Sequence, residues 1–149
     1  MIKYIIYLLF LSCNVIAQTR TIDSLIKHSL KNDTVTVINL RKIATLFSDE
    51  RKSDSCFFYY TKSLNLAIKI KNKQQEGLCY KNIARFYLEL EDYNQAIANC
   101  NKAIHAFSFN NNKKEIVWCY TLLAQTQHHK SDFVNALKHG QMALKISKE

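Results

Sequence analysis

Shifted forty residues against itself, the sequence brings three segments into register without a gap. Ala44, Ala84 and Ala124 fall in one column, each preceded by a large aliphatic residue, Ile43, Ile83 or Leu123. Leu40, Tyr80 and Tyr120 stand one helical turn ahead of the alanines, and Phe47 and Tyr87 follow them, with Gln127 the exception. Further on, Cys56, Ala96 and Ala136 align, then Ser63, Ala103 and Ala143, followed in turn by Leu64, Ile104 and Leu144. A repeat that keeps small and large residues in separate columns requires one supersecondary unit copied three times, each copy burying its apolar face on its neighbour.

The spacing within a unit says what that unit is. Tyr80, Ile83, Ala84 and Tyr87 lie at i, i+3, i+4 and i+7, the apolar stripe of a helix, and Ala96, Cys100, Ala103 and Ile104 form a second stripe. Each unit is therefore a helical hairpin, in which the small residues Ala84 and Ala96 let the two helices approach closely. Between the stripes lies Leu90-Glu91-Asp92-Tyr93, with its equivalent Lys130-Ser131-Asp132-Phe133; Asp92 or Asp132 can cap the second helix by accepting a backbone N–H bond. Polar Lys71-Asn72-Lys73 and Asn110-Asn111-Asn112-Lys113 mark the joints between units and are too short to separate domains. The absence of proline, with only Gly77 and Gly140 as glycines, argues against a turn-rich β fold and against a glycine-rich phosphate loop. The units are expected over 34–73, 74–113 and 114–149. Ahead of them, over 18–33, Ile22, Leu25, Ile26, Ser29 and Leu30 recur at helical spacing behind a capping Thr21, which predicts a helix covering the first hairpin. The expected fold is all-α: an α-solenoid of three hairpins with an N-terminal capping helix, seven helices in a right-handed superhelix.

Residues 1–17 are set apart from that fold. Lys3, the apolar run Tyr4 to Leu11 and a cleavage-like Val15-Ile16-Ala17 before Gln18 read as a secretory signal peptide. Spanning a bilayer takes about 20 apolar residues, and Ser12, Cys13 and Asn14 interrupt the run, so a retained membrane anchor is the weaker reading. Phe10-Leu11-Ser12-Cys13 resembles a lipobox with a poorly fitting first residue, which makes lipid anchoring through Cys13 the alternative to soluble export. The expected location is outside the cytoplasm, periplasmic or secreted. Cleavage removes only Lys3 from a chain of net charge +9, and the surplus that remains favours anionic partners without choosing among them.

Residues that carry chemistry elsewhere fall here into packing columns. Cys56, Cys79, Cys100 and Cys119 include no C-x-x-C pair and no zinc-ligand spacing. Cys56 shares the small-residue column of Ala96 and Ala136, and Cys79 and Cys119 are repeat equivalents, so they read as small packing residues; export leaves a disulfide open without specifying its pairing. His128 and His129 end a helix near Asp132 and His139, but adjacent side chains on a helix point about 100° apart, which disfavours a shared metal. Neither G-x-S-x-G nor H-E-x-x-H occurs, and Glu89 and Glu91 diverge on a helix rather than forming an acid pair. No catalytic residue, metal ligand or cofactor is predicted.

In these columns the chain resembles the tetratricopeptide repeat (TPR) family. Tyr80, Ile83-Ala84, Tyr87, Tyr93, Ala96 and Ala103 match its pattern in the middle unit, and Tyr120, Leu123-Ala124, Phe133, Ala136 and Ala143 match it in the third. The first unit is looser, with Ser53 in the place of Tyr93 and Phe133. The resemblance covers 34–148. A period of forty in place of about 34, and no proline closing a unit, make it look like the longer-helix variant of exported bacterial sensor proteins. What the resemblance implies is a concave groove lined by the first helices. Its groove-facing residues are Ile38, Arg41 and Thr45 in the first unit, Leu78, Lys81 and Arg85 in the second, and Trp118, Thr121 and Gln125 in the third, with Ser48, Leu88 and His128 one turn on. Three cations, an apolar floor and the only tryptophan suit an extended peptide or an acidic tail.

The expected function is a non-enzymatic module binding a protein or peptide; the alternative is the input region of a membrane sensor whose transmembrane and kinase or DNA-binding parts lie outside this sequence. Nucleic-acid binding is disfavoured by export and by the lack of aromatic and basic interleaving. Leu137, Met142, Leu144 and Ile146 lie on the last predicted helix with no later helix here to cover them, so self-association through the C-terminal hairpin, a partner bound there, or a C-terminal segment outside this sequence is expected to cover that face.

Overall fold

A computed structural model describes residues 21, 24, 25, 33–49 and 53–148. Six helices follow one another in it: α1 (Thr34–Asp49), α2 (Ser53–Lys69), α3 (Lys73–Glu89), α4 (Tyr93–Ser108), α5 (Lys113–His129) and α6 (Phe133–Ser147). They pair as three antiparallel hairpins, α1/α2, α3/α4 and α5/α6, and the described residues contain no strand. The expected leader at 1–17, the first hairpin's turn at 50–52 and most of the expected capping segment 18–33 lie outside the described residues; Thr21, Ser24 and Leu25 are helical.

The described joints share one construction, spaced twenty residues apart. Lys71, Glu91, Asn111 and Ser131 adopt the left-handed conformation, with φ of 57°, 59°, 48° and 62°. The next residue sends its backbone N–H back to close the preceding helix: Asn72 to Ala67 O, Asp92 to Tyr87 O, Asn112 to Phe107 O and Asp132 to Gln127 O, all within 2.8–3.1 Å. The side chain of that same residue accepts the N–H of Gln75, Gln95, Glu115 or Asn135 and so begins the next helix. One residue thus ends one helix and starts another, which is why so short a joint suffices. Asp92 and Asp132 are the caps expected from the sequence. Asn72 and Asn112, read there as linker, are caps as well, so α3 and α5 begin at Lys73 and Lys113, one residue ahead of the expected unit boundaries.

The core sits at the junctions between hairpins. Val37 and Leu40 of α1 and Leu66 and Ala67 of α2 pack with Cys79 of α3, and Ala44, Cys56 and Tyr60 pack with Ile83 and Phe86. At the second junction Ala84 and Cys100 pack with Leu122 and Leu123, and Ala103 and Phe107 with Cys119. No hairpin closes its own core: α6, against which no further described helix stacks, buries only Ala143 among its residues. The backbones of the first helices α1, α3 and α5 approach one another in succession, whereas those of the second helices α2, α4 and α6 stay farther apart. The stack is therefore tighter along the first helices, which form its inner face.

Candidate functional site

Side chains of the first helices meet on the inner face, and a ladder of polar contacts links each hairpin to the next. Arg41 Nη2 donates to Gln75 Oε1 at 3.4 Å, and forty residues on Lys81 Nζ donates to Glu115 Oε2 at 2.6 Å. Lys81 also lies over the Trp118 ring, 4.7 Å from its centroid. The side chains of Lys81 and Glu115 are only 16% and 20% exposed, so this pair is screened less than a surface pair and is the tightest charged contact on the face. A second rung joins helix starts: Asn72 Nδ2 donates to Thr34 Oγ1 and Asn112 Nδ2 to Gln74 Oε1, each at 3.1 Å.

The nine residues expected in the groove divide into three groups. Arg41, Thr45 and Lys81 are half-buried and committed to partners within the protein: Thr45 Oγ1 donates to Arg41 O at 3.1 Å and lies 3.3 Å from Tyr60 Oη, and Arg41 Nε is buried with no partner. Leu78 and Trp118 pack at the second junction against the cluster of Ala103, Phe107 and Cys119, so the expected apolar floor is half-buried between hairpins. Arg85, Thr121 and Gln125 are exposed, and Ile38 is half-buried. Arg85 Nε approaches Glu89 Oε1 at 3.6 Å, with both side chains about half in solvent, and Glu89 also accepts from Ser48 Oγ at 3.3 Å. The expected set of three available cations is thereby corrected. Lys81 is neutralised by Glu115 and Arg41 is tied to Gln75, which leaves Arg85 as the exposed cation of the three. Sequence reasoning missed Gln75, Glu89 and Glu115. Gln75 and Glu115 occupy one repeat column, as do Arg41 and Lys81, so two columns of complementary character a fixed 34 residues apart carried the signal.

Among the described residues the thiols of Cys56, Cys79, Cys100 and Cys119 are fully buried and none is in a disulfide. Desolvation pushes Cys119 up to about 12 and raises Cys79 and Cys100, which keeps all three as inert thiols at neutral pH. Gln127, the exception in its column, is buried and sits 2.6 Å from His139 Nδ1, whose ring stacks on Tyr120; burial holds the His139 pKa below the usual histidine value. His128 and His129 present their rings at 85° to each other, and no group of three or more His, Cys, Asp or Glu that could hold a metal occurs among the described residues.

Residues 78–149 match the tetratricopeptide repeat family profile, a repeat usually without catalytic activity. No curated protein matches the sequence. Among solved structures, BtubC (BKLC) from P. vanneervenii superposes with a TM-score of 0.73 at 17% identity, over 83% of this chain and 51% of that one. The N-terminal domain of stress-induced protein-1 (STI-1) from C. elegans superposes with a TM-score of 0.66 at 15% identity, over 76% of this chain and 85% of that one. At these identities the likeness is one of fold. This chain spans about half the length of BtubC.

Proposed function

We propose that this chain is an exported, non-enzymatic interaction module that holds an extended peptide along its inner face. TPR domains generally bind proteins or peptides, and the observation that carries the reading here is the convergence of three first helices on one surface. That surface is stiffened from below by the Arg41–Gln75 and Lys81–Glu115 rungs and offers Arg85, Thr121 and Gln125 to solvent. A rigid face with exposed donors of fixed spacing lowers the ordering cost of binding a flexible chain. A carboxylate of the peptide meets Arg85, whose long, half-exposed contact with Glu89 is readily exchanged. The leader-like residues 1–17 support export. Binding through Arg85 weakens as salt rises, because exposed charges are screened within about 8 to 10 Å at physiological ionic strength.

A photo-crosslinking amino acid placed at Thr121, on the inner face, or at Ala98, exposed on α4, tests the reading in periplasmic extract. The inner-face probe is expected to trap a protein adduct that is lost with Arg85→Ala and at high salt. Adducts from the Ala98 position alone, indifferent to Arg85→Ala, would move the binding surface to the second helices.

A further inference from the structure

Each internal junction seats a first helix on the preceding hairpin by the same three devices. The first is apolar: Tyr60 of α2 shares a core cluster with Ile83 and Phe86 of α3, and Cys100, forty residues on, shares one with Leu122 and Leu123 of α5. The second is the polar rung from Arg41 to Gln75 and from Lys81 to Glu115. The third joins the cap of the arriving helix to the start of the helix beneath, Asn72 to Thr34 and Asn112 to Gln74. On the third hairpin the equivalent positions are Gly140, Thr121 and Lys114, and no described helix lies over them. There Ala124, His128, Phe133, Leu137, Gly140 and Leu144 line an open groove of about 560 Å³. Phe133, Leu137 and Leu144 are 61%, 65% and 56% exposed, and a methyl group added at Gly140 would meet nothing within 4 Å.

We infer that this groove docks an amphipathic helix of a partner protein, seated as α3 sits on the first hairpin and α5 on the second. The two filled junctions specify the chemistry of that helix. Its buried stripe is uncharged, with apolar residues at i, i+4 and i+7 like Cys79, Ile83 and Phe86. The floor column shrinks from Tyr60 through Cys100 to Gly140, so at a similar helix separation the side chain above Gly140 is bulkier than its counterparts Ile83 and Leu123. The cap is specified by charge. Asn72 and Asn112 donate to the oxygens of Thr34 and Gln74, but Lys114 has only protons to offer, so the arriving helix begins with a carboxylate, which is also a strong N-cap. Docking on this end face is independent of peptide binding on the inner face, and failure of one leaves the other standing.

The full chain is titrated, by fluorescence anisotropy, with a labelled, hydrocarbon-stapled peptide of the α5 sequence 112–129 carrying Asn112→Asp and Leu123→Phe. Saturable binding is expected, weakened about tenfold by Leu137→Asp in the chain, since that change sets a charge against the apolar stripe. Leu137 is largely exposed, so the variant keeps its helicity by circular dichroism. The decisive readout is a swap of preference: the chain favours the Asp-capped peptide over one keeping Asn112, by about threefold for a charged contact at the surface, and Lys114→Gln reverses the order by restoring the Gln74–Asn112 type of pairing. Absence of binding, binding indifferent to Leu137→Asp, or an Asp preference that survives Lys114→Gln would overturn the inference. So would a chain that sediments alone as a dimer dissociated by Leu137→Asp, which would assign the face to a second copy.

Discussion

Two identical substitutions in this chain should have opposite effects on stability. Gly77 and Gly140 both lie inside helices, α3 and α6, where glycine is about 1 kcal/mol less favourable than alanine. A methyl group at Gly140 meets only open space, so Gly140→Ala should stabilise by about 0.8 to 1 kcal/mol. At Gly77 the new Cβ would lie 2.6 Å from Phe107 Cε1, 2.8 Å from Cδ1 and 2.9 Å from Cζ. Carbon contacts settle near about 3.5 to 4.0 Å, so the ring must retreat by about 1 Å. Phe107 is fully buried with Ala103 and Cys119, and a retreat of that size belongs in the upper half of the range of about 1 to 3 kcal/mol for overpacking. Set against the gain in helix propensity, Gly77→Ala should destabilise by about 1 to 2 kcal/mol. Urea melts followed by helicity and by the fluorescence of Trp118, the chain's only tryptophan, measure both changes. Phe107→Leu should relieve most of the Gly77→Ala cost in the double variant, the coupling expected of residues in direct contact. Equal stabilisation by the two alanines would refute the argument, because it would mean that the Phe107 ring is not held against Gly77.

Ala84→Leu should cost about 1 to 3 kcal/mol, read from urea melts, because Ala84 is fully buried among Cys100, Leu122 and Leu123 and has no room for the added atoms. Glu91→Gly should stabilise by about 0.5 to 1 kcal/mol, since the left-handed backbone there costs a side-chain-bearing residue about 1 to 2 kcal/mol and glycine much less; a loss of stability in the same melts would contradict that account of the joint. Alkaline pH should weaken the fold: a thiol whose folded pKa is raised stays protonated after its unfolded counterpart ionises, so the stability present below about pH 9 falls as pH climbs toward about 12. Cys119 alone contributes a slope of about 1.4 kcal/mol per pH unit in that window, and Cys119→Ala should flatten the profile in melts run at successive pH values.

The hairpins, the expected caps at Asp92 and Asp132 and the packing role of the cysteines were legible in the sequence because each depends on neighbours within one or two helical turns. Helical periodicity fixes which residues share a face, and the forty-residue register repeats that pattern three times, so a single unit read correctly gives the architecture. The dual role of Asn72 and Asn112 was missed for a local reason: asparagine between helices looks the same in a loose linker as in a tight joint until the left-handed residue before it is seen. Other features required the units to be set at a definite angle to one another. Lys81 meets Glu115 and Trp118 only because α3 and α5 lie side by side, and that contact turns an expected free cation into a structural one. Gln127 breaks its column in sequence, yet in space it meets His139, so a polar pair stands where Phe47 and Tyr59 stack in the first hairpin. Periodicity determined which residues turn inward, since that is a property of one helix. Which of them are already taken was decided by tertiary structure, because pairing across hairpins depends on distances that no single helix encodes.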